Sequence, residues 1–222
     1  MASSLFLRSC LPYSFVMISF AHFGPADAPQ LKLQPGRVRL AQHWVQGGQL
    51  AGAAQTPQAG LDLRADGVMV FSATMKPAAQ DVFRTGQNEF VADLWKGNVV
   101  ECFLGNAKTG RYLEMHLAPT GQWWSCLFSK VRVRETPDGR PLPLSVIHHR
   151  RDKSGKRWEA NVQVPAAVLC KLLTVSSVME LRANLAAIVH PVTGRPLYFS
   201  LASLPGAKPD FHQPEAWLEV TT

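Results

Sequence analysis

The sequence has few cysteines and shows none of the common catalytic signatures. Its four cysteines, Cys10, Cys102, Cys126 and Cys170, form no C-x-x-C pair or other metal-ligand spacing. A zinc ribbon and a disulfide framework are therefore not expected. Cys102 and Cys126 sit inside apolar strand patterns and read as small buried hydrophobes. G-x-S-x-G and G-x-x-x-x-G-K-S/T are both missing, so neither a nucleophile elbow nor a phosphate loop is written into the chain. Glu101 and Glu114 fall on expected strands and can be imagined as a carboxylate pair. Their separation cannot be read from spacing, and no catalytic residue is assigned. The seven histidines form no ligand set. His148 and His149 are neighbours on an expected strand and point to opposite faces. His116 and His212 flank Gly/Pro-rich turns beside aromatics and read as hydrogen-bonding side chains; no metal site is expected.

Long apolar runs are also missing. The most apolar stretch, residues 5–21, carries Arg8 and is broken by Pro12, so it is too short and interrupted to span a bilayer. Residues 1–29 read as an N-terminal extension with a weak signal-like segment, and Met17 is an alternative start. A cytoplasmic or an exported location depends on whether residues 1–21 are a signal.

What is present points to a β protein. Hydrophobic residues make up 46% of 222 residues, with 16 Gly and 16 Pro spread along the chain. This is the composition of many short strands joined by turns, in one domain over residues 30–222. Strand patterns cover 38–45, 49–54, 67–75, 89–95, 98–104, 111–117, 122–128, 145–149, 157–164, 181–190, 196–201 and 216–220. Several recur at meander spacing, which predicts an all-β, antiparallel β-sandwich. One short helix is expected over 165–173, with Pro165 at its start and Val168, Leu169, Leu172 and Leu173 on its apolar face.

The net charge of +7 is local. Between Lys130 and Arg157 nine basic residues face three acidic ones. Aromatics are not interleaved there, so nucleic acid is not an expected partner. The segment reads as a solvated hairpin or, in an interaction module, as a contact surface for an acidic partner. Trp95, with Glu101 six residues on, offers what a sugar needs: a flat ring for its C–H face and a polar group for its hydroxyls.

Four motifs then carry a family resemblance. Leu94-Trp95-Lys96-Gly97-Asn98-Val99-Val100-Glu101-Cys102-Phe103 resembles the L-W-x-x-x-x-V-E-x-F signature of DOMON-like proteins related to family 9 carbohydrate-binding modules. Gly110–Pro119, Gly121–Ser129 and the closing Lys208-Pro209-Asp210-Phe211-His212-Gln213-Pro214-Glu215 resemble later motifs of that family, in the same order. The resemblance implies a jelly-roll or immunoglobulin-like sandwich that binds carbohydrate without catalysis. It further implies that Trp95 and Phe211 clamp a terminal sugar while Glu101 and His116 hydrogen-bond its hydroxyls. Phe211 stands where the sugar-binding modules carry tryptophan, and His116 where arginine or asparagine is expected. The acidic calcium ligands of those modules have no counterpart. Haem-binding members of the same superfamily imply an alternative, with Met115 or Met75 and Lys130 or Lys96 as axial ligands. A protein-interaction sandwich without a small ligand is the other alternative.

Overall fold

The structure is a computed structural model. It describes residues 30–43, 51–52, 56–77, 81, 88–142, 147–151 and 157–222, without the side chains of 147–151. The expected strand 49–54, the N-terminal extension and residues 44–45 and 145–146 of two further expected strands lie wholly or mainly outside the described residues.

The strands run in chain order β1 (Gln30–Lys32), β2 (Val38–Arg39), β3 (Ala41–His43), β4 (Gln58–Leu63), β5 (Val68–Met75), β6 (Glu89–Phe90), β7 (Val99–Asn106) and β8 (Tyr112–Leu117). They continue as β9 (Gln122–Lys130), β10 (Val133–Arg134), β11 (Ile147–Arg151), β12 (Trp158–Pro165), β13 (Leu181–Val189), β14 (Leu197–Ser200) and β15 (Leu218–Thr221). The larger sheet has the order β1-β15-β13-β7-β8-β9-β10, with β14 and β3 added beside β13 and β6 beside β9. The smaller sheet has the order β11-β12-β5-β4-β2. β5 packs against β7 and β4 against β13, which closes the two sheets into a sandwich.

The expected all-β fold is therefore found. Among the described residues the pairing is antiparallel except at two short places, β1 with β15 and β6 with β9, which run parallel. A second difference lies at 89–95. Only Glu89–Phe90 is strand, and Leu94–Lys96 forms a 3-10 turn after Asp93, whose φ of 63° is left-handed. Aspartate tolerates that conformation better than most residues, and it ends the strand before Trp95. The strands β1, β4 and β10 were not expected: β1 and β10 are only three and two residues long, whereas β4 does alternate, with Ala59, Leu61 and Leu63 against Gln58, Gly60 and Asp62, and was missed.

The two sheets bury different amounts of surface. In β12 the buried residues alternate with partly exposed ones, as in a sheet with one wet face. In β7 and β8 every residue is buried. Their inward face is apolar: Val100, Cys102 and Leu104, with Leu113, Met115 and Leu117. Their outward face carries Glu101, Phe103, Tyr112, Glu114 and His116, and a third layer covers it. The Phe211–His212 turn and Trp217 form much of that layer. Phe103 lies 6.3 Å from Phe211 and 5.3 Å from Trp217, ring centre to ring centre. Gly105 makes room for it, because a Cβ there would lie 2.8 Å from the Trp217 ring. The helix α1 (Ala166–Leu173) buries Leu169 and Leu173, and the Asn106 amide caps its end by donating to the Leu173 and Thr174 carbonyls.

Candidate functional site

Strand pairing builds the polar centre of the outer face. Antiparallel register sets Glu101 opposite His116 and Phe103 opposite Glu114. Residues two apart on a strand share a face, so Glu101, Glu114 and His116 converge. His116 Nε2 lies 2.6 Å from Glu114 Oε1 and 3.4 Å from Glu101 Oε1. One donor-type atom from each of the three side chains falls within 4.8 Å of the others. The next register positions are Trp124 beside His116 and Cys126 beside Glu114, on β9.

The closing turn extends this cluster. His212 Nε2 lies 3.9 Å from Glu114 Oε2, and its Nδ1 is 2.7 Å from the Tyr112 hydroxyl. That hydroxyl also accepts the Arg132 backbone N–H at 3.1 Å. Asp210 holds the turn from both sides, accepting from the His212 backbone N–H and from the Arg132 guanidinium. Tyr112 stacks on Phe128 at 4.5 Å, nearly parallel, which fixes the phenol beneath His212.

The electrostatics follow from burial and close approach. Burial pushes the Glu101 carboxyl up to about 7, with the His116 charge working against this and Glu114 adding to it. Burial also acts to raise Glu114. The charge and hydrogen bond of His116, with help from His212 and Arg134, outweigh it and hold Glu114 below the usual carboxylate range. In His116 burial opposes the charge, but the two glutamates outweigh it, and the imidazole keeps its proton to higher pH than usual. Burial lowers His212. The cluster is thus a His116–Glu114 ion pair with Glu101 taking a further proton, an arrangement that keeps the buried charge near balance.

The four residues singled out by sequence are placed unequally. Glu101 and His116 are brought together, but both are buried and bonded within the cluster. Trp95 is 47% exposed on its 3-10 turn, which packs against β8 and β9. Lys96 bridges there to Asp93 at 2.6 Å. Phe211 is only 7% exposed and packs between Phe103 and Tyr198, over β7 and β14. Trp95 thus presents an open ring, whereas Phe211 is part of the cover. Sequence reasoning considered Glu101 with Glu114 and His116 with His212 as separate pairs and did not join the two pairs into one cluster. The i,i+2 spacing of Glu114 and His116 on one strand was the available signal.

The other proposed groups are also placed. Met75 and Met115 are buried in the apolar core. In the basic segment, Arg132 pairs with Asp210, and Arg134 lies 5.0 Å over the Trp124 ring. Val131 and Val133 beside them are exposed. Among the described residues no helix is long and apolar enough to cross a membrane.

Comparison with known proteins agrees with this architecture. No family model matches the chain. Over 130 residues it is 32% identical to the UPF0462 protein C4orf33 homolog of Mus musculus, which is 56% of this chain and 60% of the mouse protein. The match therefore spans less than two thirds of that relative's length. A crystal structure of a candidate carbohydrate-binding protein from Bacteroides uniformis ATCC 8492 superposes with a TM-score of 0.53 and 16% identity, covering 74% of this chain and 76% of that one. That likeness shows a shared β-sandwich fold.

Proposed function

We propose that this chain is a non-catalytic carbohydrate-binding domain in which Trp95 stacks on a sugar ring. The observation that carries the reading is the exposure of the Trp95 ring, 47%, in a protein whose other tryptophans with a described side chain are more enclosed. An indole left half in water costs apolar hydration, and a sugar's C–H face relieves that cost. Asp93 and Lys96 flank the ring with polar groups able to meet hydroxyls. The motif around Trp95 resembles that of family 9 carbohydrate-binding modules. The fold is shared with a protein described as a candidate carbohydrate binder.

Glu101 and His116 are buried in the sheet, His116 on β8, one of the two strands that the Trp95 turn packs against. They reach a sugar directly only when the Phe211–His212 turn moves away. Otherwise they fix the sheet surface on which the Trp95 turn rests. Glycan-array screening followed by calorimetry on the wild type and Trp95→Ala tests the reading. Sugar binding that survives Trp95→Ala unchanged removes Trp95 from the site, and the lack of any glycan ligand removes the function.

A second reading is favoured by the exposed valines among the arginines. Lys130, Val131, Arg132 and Val133 form an exposed strip suited to an acidic protein partner. Capture that weakens steeply with salt supports it. The haem alternative requires Met75 or Met115 to leave the core, and a Soret band on reconstitution tests it.

A further inference from the structure

We propose that Glu101, Glu114, His116 and His212 form a binding site for a divalent first-row transition cation, with zinc the best match. The inference goes beyond sugar binding and does not depend on it.

The donor set has the right chemistry. Two carboxylates and two imidazoles form a mixed oxygen–nitrogen environment that suits zinc, and the two carboxylates match the ion's charge of two. The three inner side chains have donor atoms within 4.8 Å of one another. Ligands on a zinc ion at roughly 2.0–2.2 Å lie about 3–3.5 Å apart, so small side-chain rotations suffice to enclose one. Binding the ion would displace the proton shared by His116 and Glu114 and part their atoms, which are now 2.6 Å apart.

Two further observations point to a ligand. Glu114 Oε2 is buried and accepts no hydrogen bond. Burial of an unmatched carboxylate oxygen is costly, and it faces His212 Nε2 across 3.9 Å, a gap between two ligand-type atoms. The other nitrogen of His212 already has the outer partner that a ligating imidazole needs. Its Nδ1–H can donate to Tyr112 Oη, which the Arg132 backbone N–H holds in place. His212 is the most exposed of the four side chains, at 17%, and gives the route of entry through the cover.

The test uses untagged full-length protein, stripped with chelator and titrated with zinc chloride by calorimetry and by thermal unfolding. One zinc per chain and a raised melting temperature are expected. Glu114→Gln and His212→Gln should each weaken zinc by about tenfold or more. His212→Gln lies in the cover and serves as the variant least disturbing to the sheet. Cobalt(II) substitution of the wild type adds a readout independent of any variant. Visible bands without a thiolate charge-transfer band are expected, and a thiolate band would assign the metal to cysteine and overturn the site. No zinc binding, or unchanged affinity in His212→Gln together with Glu114→Gln, also overturns it. Sugar binding by the stripped protein is read separately through Trp95→Ala, so failure of one proposal leaves the other standing or falling by itself.

Discussion

Glu101 and His116 stand directly opposite each other on β7 and β8, with Oε1 3.4 Å from Nε2 and both side chains shut off from water. A carboxylate and an imidazole so enclosed must settle their protons between themselves and Glu114. The stability of the sheet therefore depends on pH in a definite direction.

The folded state holds the Glu101 proton up to about pH 7, well above the ordinary value of 4.5. Its contribution is fully present below about 4.5 and is lost as the pH rises through 7. His116, also raised, adds a contribution present below 6.5 and lost above its folded value. Glu114, lowered, contributes above 4.5 and loses its contribution in acid. The melting temperature is expected to fall between about pH 6 and pH 8, and to fall less in Glu101→Gln. Parallel profiles for wild type and variant would show that Glu101 does not carry the effect.

Trp95→Ala should change stability by no more than ~0.5 kcal/mol, because the ring is half in water and closes no core. Its effect should appear in sugar affinity instead. A large drop in the denaturation midpoint would mean that the indole is a packing residue.

Phe211→Ala should behave in the opposite way. Removing a ring packed on Phe103 and Tyr198 leaves a cavity under the cover and should cost about 3 kcal/mol in chemical denaturation. Phe211→Trp, which restores the residue of the resembling modules, tests whether the cover can take the larger ring.

Tyr112→Phe should cost about 1–3 kcal/mol while leaving the stack on Phe128 intact. It strands the Arg132 N–H and His212 Nδ1 at once. Loss of the His212 position should also be visible in the histidine NMR resonances.

Much of the sandwich was legible in the sequence. The long strands β5, β7, β8, β9, β12 and β13 each show a hydrophobic run bounded by turns, and α1 begins at Ala166, one residue after the expected start, with Pro165 as the residue before it. The short strands were read less well: β10 was not expected, β6 is only the start of the expected strand 89–95, and the expected strand 38–45 divides into β2 and β3 in different sheets, each held by its partners rather than by its own alternation. At the site, periodicity correctly gave Glu101 and His116 as strand residues. It could not show that they pair across one rung, since register depends on the length of the intervening turn. Nor could it distinguish an exposed Trp95 from a covered Phe211. That difference is set by a third layer formed by the closing turn, about a hundred residues further along the chain than β7 and β8.

This third layer has a dynamic consequence. With both faces of β7 and β8 sealed, their amides should be among the slowest in the molecule to exchange with deuterium, opening only when the whole sheet does. The cover above them is held by the Arg132–Asp210 and Tyr112–His212 bonds and by Phe211 and Trp217 packed on Phe103, and should exchange as a separate, faster unit. Anything that reaches Glu101 from solvent then pays only the cost of lifting the cover, and a molecule that clamps the cover down will slow its exchange without altering that of the sheet.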